Sequence, residues 1–379
     1  MLYLDHAATT PVRPEVLEAM QPYLHGVFGT PSSSHTAGEQ TRTALQDARR
    51  RVAAVLGMRA GDVVFTSGGT EANNLAVKGI VLAALARGRR HLVISPIEHE
   101  SIIASADFLR RFHGVEVTEL AVDEHGVITP DALSAALRDD TALVAIGHAN
   151  NEIGTVQDAA ALTARTGAAA VPVHLDAVQS AGWLPLSGTG ADAIAVAGHK
   201  LGAPKGTGAL AVRGRVPLEP LLHGGGQERG RRSGTEDVAA AVALATALEL
   251  AEAERAHVEA AVAARTDVFI AEVIALLPQA ALTGHPRMRL PGTASFTFAG
   301  VSGEAVLLEL ERRGIVSSSG SACAAGSDEP SHVLVACGIR PEIAQTSVRF
   351  TFPRTPVPAE APAQLAGLVA ASVAAASGS

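Results

Sequence analysis

Short apolar runs alternate with amphipathic segments from residue 40 to about 215. The runs DVVFTS (62–67), HLVIS (91–95), VEVTEL (115–120), TALVAIGH (141–148), VPVHLD (171–176), ADAIAVAG (191–198) and GALAVR (208–213) are brief, rich in β-branched residues and bounded by Gly, Pro or charged side chains. That pattern predicts strands. Between several of them, segments such as TEANNLAVKGIVLAALARG and PDALSAALRDD repeat apolar residues at i, i+3 and i+4, which predicts helices. Strand and helix in alternation imply an α/β fold with a mostly parallel central sheet covered on both faces.

Beyond residue 237 the pattern changes. The Ala/Glu-rich stretch 238–277 reads as one or two long helices, and ASFTFAG, EAVLLELERRGI and TSVRFTFP suggest a smaller α+β unit after it. The expected organisation is an N-terminal segment (1–15) packing on the small domain, a large α/β domain (16–250) and a small C-terminal α+β domain (251–379). No internal repeat is visible.

Composition narrows the classes of function. The 379 residues are 47% hydrophobic and 18% charged, which suits a globular chain with a large core. A net charge of −8 leaves no basic block to neutralise phosphates, so direct nucleic-acid binding is not expected. No apolar run reaches the ~20 residues that span a bilayer. The start, MLYLDHAATTPVRP, has neither the charged lead nor the apolar core of a secretory signal. Together with a content of two cysteines, this points to the reducing cytoplasm. The 14 histidines and two cysteines show no close zinc-type spacing, so no metal is expected. Of 30 basic residues only Lys78, Lys200 and Lys205 are lysines, which leaves few amines for covalent chemistry.

In open α/β sheets, ligands bind beyond the carboxyl ends of the strands. Five predicted strands end in polar groups: Gly68-Gly69-Thr70 opening a helix, then His99, then Asn150 and Asn151, then Asp176 and Gln179, then His199 and Lys200. Backbone N–H groups at Gly69 and Thr70 suit an anion at a helix N-terminus, and the spacing fits one phosphate rather than a triphosphate. An ordinary strand-to-helix turn has the same look. Lys200, among glycines and Pro204, is placed for an amine that condenses with an aldehyde, with Lys205 as its rival and Lys78 on the solvated back of a helix. Asp176 suits the partner of a pyridinium nitrogen, or else a helix cap. His99 offers a ring that stacks and exchanges protons. In SSSGSACAAGSDEP (317–330), Cys323 sits among Ser, Gly and Ala with little to bury against. Such a setting suits a thiol that must move and react, whereas Cys337 in HVLVACGI reads as a packing residue.

The motifs LYLDHAATTPV, FTSGGTEANN, EHES, HANNEIGTVQD, HLDAVQSAG, GHKLGAPKGTGAL, HGGGQERGRRSGTED and SSSGSACAAGSDEPSHVL run in unbroken order over essentially the whole chain. Together they resemble the cysteine desulfurases of the class V aminotransferase superfamily, in their long-loop, iron–sulfur cluster and tRNA-thiolation type. The resemblance implies a fold-type I transferase dependent on pyridoxal 5′-phosphate. It implies that Lys200 binds the cofactor covalently, that Asp176 partners its ring nitrogen, that His99 stacks on the ring and that Gln179 meets its phenolic oxygen. Gly69, Thr70 and His199 would cradle the phosphate, and Asn151 would touch cofactor and substrate carboxylate. Thr235, in RRSGTED, would reach the phosphate from the other subunit of a homodimer, and Arg349 would grip the substrate carboxylate. Where the family commonly bonds the phosphate with a serine, this chain has Ala197; one lost hydrogen bond is worth about 0.5–1.5 kcal/mol.

The implied reaction takes sulfur from L-cysteine, leaving L-alanine and a persulfide on Cys323 that passes to an acceptor or scaffold protein. Two alternatives stay open at this point. One is a same-fold lyase or transaminase acting on another amino acid, such as a selenocysteine lyase. The other is a non-catalytic sulfur-transfer scaffold.

Overall fold

A computed structural model describes residues 1–319, 329–356, 358 and 361–378. The strands are β1 (Leu2–Tyr3), β2 (Val63–Thr66), β3 (His91–Ile94), β4 (Glu116–Glu119), β5 (Thr141–Gly147), β6 (Val173–Asp176), β7 (Ala193–Ala197), β8 (Gly208–Val212), β9 (Ala280–Leu282), β10 (Thr293–Phe298), β11 (Ile315–Val316) and β12 (Ser347–Thr351). The seven apolar runs between 62 and 213 become one seven-stranded sheet in the order β2-β8-β7-β6-β5-β3-β4. Only β8 runs against its neighbours. The carboxyl ends of β2, β3, β5, β6 and β7 therefore share one edge.

Nearly every residue of β3, β5, β6, β7 and β8 is buried, as strands covered on both faces must be. On one face, Leu45, Val52 and Leu56 of the helix Thr36–Leu56 join Val144, Ile146, Leu175 and Ile194 of the sheet, with Leu244 and Leu248 from the long helix Val238–Leu276. On the other face, Leu75, Ile80, Ile102 and Leu109 come from the helices Gly69–Leu85 and Glu100–His113. Two layers of helix thus cover the sheet on both faces.

The stretch 238–277 forms one helix rather than two. Its first part is buried against the large sheet, and further along Val262, Phe269, Ile270 and Val273 enter a second core with β10, β12 and the helix Ala361–Ser377. Phe269 meets Phe296, Phe350 and Phe352 edge-on at 5.2–6.0 Å between ring centroids, a favoured aromatic geometry. β12 lies in a three-stranded antiparallel sheet with β10 and β9. The chain start returns to this unit: β1 pairs with β11, and Leu4 is fully buried in the same core. Among the described residues, no helix is long and apolar enough to cross a membrane.

Candidate active site

A cleft of about 370 Å³ opens where the five strand ends meet, lined by Gly69, Thr70, His99, Asn151, Asp176, Gln179, His199, Lys200 and Arg349 among others. These nine residues and Asn150, all singled out from sequence, therefore face one space. Gly69 and Thr70 begin the helix Gly69–Leu85, His99 caps the helix Glu100–His113, and Asp176 is the last residue of β6. Arg349 arrives from β12, and Ala7 and Ala8 from the chain start. Thr235 does not join them; it lines a separate recess with Phe65, Ser67, Glu228 and Arg232. Cys323 lies outside the described residues.

Glycine is required at the head of the cleft. A Cβ on Gly69 would stand 2.7 Å from Val178 Cγ2, and one on Gly208 would stand 2.6 Å from the Cα of Gly68, which itself has φ +150°. The close approach leaves the first helical N–H groups facing open space, where the positive end of the helix favours an anion. Ala197, at the end of β7, also lines this space but brings no hydroxyl.

Lys200 Nζ donates to the carbonyl oxygens of Ala7 and Ala8, the latter at 2.9 Å. Gln179 Nε2 donates to the same Ala7 oxygen at 2.9 Å. The rival Lys205 is exposed and absent from the lining, which separates the two lysines. Lys78 is not simply solvated: it is half-buried with Nζ 4.6 Å from the centre of the Phe108 ring, a cation–π contact.

Both oxygens of Asp176 are held. Asn73 Nδ2 donates to Oδ2 at 2.7 Å and the Val178 N–H donates to Oδ1 at 2.9 Å. Asp176 caps its own following turn, not a helix. His99 Nδ1 accepts from the Ser101 N–H at 3.0 Å, so in the neutral ring the proton sits on Nε2. Burial lowers His199 to about 4, with Lys200 and Lys205 adding to the effect, so its imidazole offers hydrogen bonds rather than charge. Arg349, 2% exposed, donates through Nη2 to Asp5 Oδ1 at 2.7 Å and through Nη1 to the Asn151 carbonyl at 2.8 Å.

Sequence reasoning missed three residues that shape the cleft. Glu98 is buried, and loss of solvation pushes its carboxyl up to about 8 against the lowering effect of the Ser95 Oγ bond at 2.6 Å, with Asp176 adding to the rise. Asn73 sits on the buried face of the helix Gly69–Leu85. Asp5 comes from the chain start. A glutamate next to His99 was a signal available in EHES; nothing local marks Asn73 or Asp5. Cys337 is buried against Ile97, Ile153 and Leu334, and its thiol is pushed up to about 11, which suits packing rather than chemistry.

The chain is similar to known proteins along most of its length. The aminotransferase class-V family model matches residues 2–355. The chain is 43% identical over 352 residues to the cysteine desulfurase IscS of Dictyoglomus turgidum, covering 92% of this chain and 89% of that protein. It is 43% identical over 372 residues to an IscS-like cysteine desulfurase of Mycobacterium tuberculosis, covering 96% and 94%. Among solved structures, a NifS-like protein superposes with a TM-score of 0.89 at 32% identity over 98% of each chain. SspA in complex with cysteine gives 0.82 at 34% identity, covering 94% of this chain and 100% of that one.

Proposed function

The chain belongs to the class-V aminotransferase family, and from that premise we propose that it is a cysteine desulfurase using pyridoxal 5′-phosphate. The observation that carries this reading is the meeting of Lys200, Asp176 and the glycine-opened helix N-terminus in one cleft. An amine, a carboxylate and an anion cradle are the three groups that the cofactor's aldehyde, ring nitrogen and phosphate require. The residues fit the group.

In this reading Lys200 Nζ would hold the cofactor, Asp176 its ring nitrogen, Gln179 its phenolic oxygen, and Gly69, Thr70 and His199 its phosphate. His99 would lie over the ring. When bound, the cofactor supplies an electron sink for the charge left at the substrate's Cα. Asn151 and Arg349 would hold the carboxylate of L-cysteine, a task suited to a planar guanidinium fork. The Lys200 amine, when it is not tied to the cofactor, would take the proton from Cα and return it there once the sulfur has left. The Cys323 thiolate would attack the substrate sulfur: an S–S bond forms, the Cβ–S bond breaks, and its electron pair stays on Cβ, which takes up a proton. L-Alanine leaves, and the persulfide on Cys323 passes to an acceptor or scaffold protein serving iron–sulfur assembly, tRNA thiolation or both.

The separate recess that holds Thr235 supports a homodimer in which that threonine serves the partner's cleft. This reading places the enzyme in the cytoplasm. The test of the site is chemical. Borohydride reduction of the cofactor-loaded protein, followed by peptide mass spectrometry, should leave the cofactor's mass on Lys200. An adduct on Lys205, or none, would overturn the assignment.

A further inference from the structure

His174 and Asp176 alternate along β6, so both side chains point to the same face of the sheet, toward the helix Gly69–Leu85. There they meet Asn73, which is 1% exposed. Its Nδ2 donates to Asp176 Oδ2 at 2.7 Å and to Ser101 Oγ at 2.9 Å, and its Oδ1 lies 2.9 Å from His174 Nε2. The donors follow from chemistry. A carboxylate only accepts, so the NH2 of Asn73 must face Asp176, the carbonyl must face His174, and His174 must carry its proton on Nε2. His174 is fully buried and does not line the cleft; loss of solvation lowers it to about 4, so it stays a neutral donor.

We propose that His174 and Asn73 are positioning residues for Asp176: the imidazole N–H fixes the amide of Asn73, and the amide in turn fixes the carboxylate that faces the cleft. A buried amide next to a carboxylate would lose its donor if it turned over, and His174 is the group that makes turning over costly. The inference rests on the reading of Asp176 as the partner of the cofactor's ring nitrogen.

Two measurements test it. In the cofactor-free protein, ¹⁵N NMR of the histidine rings should find His174 protonated on Nε2 and bare on Nδ1. In titrations of stripped protein with pyridoxal 5′-phosphate, Asn73→Ala should weaken binding on the order of tenfold and shift the absorption band of the bound cofactor. Asn73→Asp, the same shape with an acceptor in place of the donor, should weaken it more. His174→Phe should weaken binding several-fold and shift the band the same way, while His174→Gln, which can still donate to Asn73, should recover most of the loss. Folded Asn73→Ala and His174→Phe variants with wild-type affinity and band would overturn the inference, as would a His174 proton found on Nδ1. Should the wild type itself take up no cofactor, the functional reading fails, and the NMR tautomer alone decides the His174–Asn73 relationship.

Discussion

Asp5 Oδ1 accepts from Arg349 Nη2 at 2.7 Å, which ties the chain start to the guanidinium that faces the cleft. The pair is well shielded, with side-chain exposures of 16% and 2%. A guanidinium buried this deeply needs a counter-charge, and Asp5 also fixes the direction of its fork. Asp5→Asn keeps the shape and removes the charge. We expect KM for L-cysteine to rise about tenfold with kcat little changed, as for the loss of one charge-assisted hydrogen bond. An unchanged KM would show that Arg349 does not depend on Asp5 to meet substrate.

Ala197 lines the cleft at 1% exposure with no hydroxyl to offer. Ala197→Ser should tighten binding of pyridoxal 5′-phosphate by roughly two- to tenfold, the worth of one neutral hydrogen bond. Without cofactor the same hydroxyl is short of a partner, so the melting temperature of stripped protein should fall while that of loaded protein holds. Equal affinity in an absorbance titration would show that the phosphate does not reach β7.

Glu98 gives the protein a pH dependence of known sign. Its carboxyl is raised from 4.5 to about 8 in the folded protein, so the folded chain holds a proton that the unfolded chain has already lost. The associated stability is full below about pH 4.5 and disappears as pH rises through 8. Across that window the cost grows by about 1.4 kcal/mol per pH unit. Glu98→Gln removes the titration, so urea unfolding midpoints should show the variant gaining on wild type between pH 5 and 8. Parallel profiles would place the Glu98 carboxyl elsewhere than in its buried contact with Ser95.

The seven strands, and the cleft at the carboxyl ends of β2, β3, β5, β6 and β7, were legible because each depends on local pattern. A run such as VPVHLD reads as a strand by itself, and the residue after it then falls at the sheet edge. Lys200 and Lys205 lie five residues apart in one glycine-rich loop, and only the folded turn decides which enters the cleft. The helix Thr36–Leu56 starts one residue from where its sequence points: Thr36 and Glu39 have capping-box spacing, yet His35 is the cap and accepts from the Gly38 N–H. Asp5 and Asn73 were invisible for another reason: their partners stand 344 and 103 residues away, so their roles exist only once the sheet has formed. The boundary expected near residue 250 falls within the unbroken helix Val238–Leu276, whose Ala-rich pattern serves both cores without interruption.

In the proposed reaction sulfur leaves L-cysteine onto Cys323. Its most direct measurement compares wild type with Cys323→Ala, following sulfide and alanine from L-cysteine with a thiol reductant present. Equal amounts of sulfide and alanine are expected from wild type, and neither from a variant that still binds cofactor through Lys200. A Cys323→Ala protein that released both at the wild-type rate would contradict it.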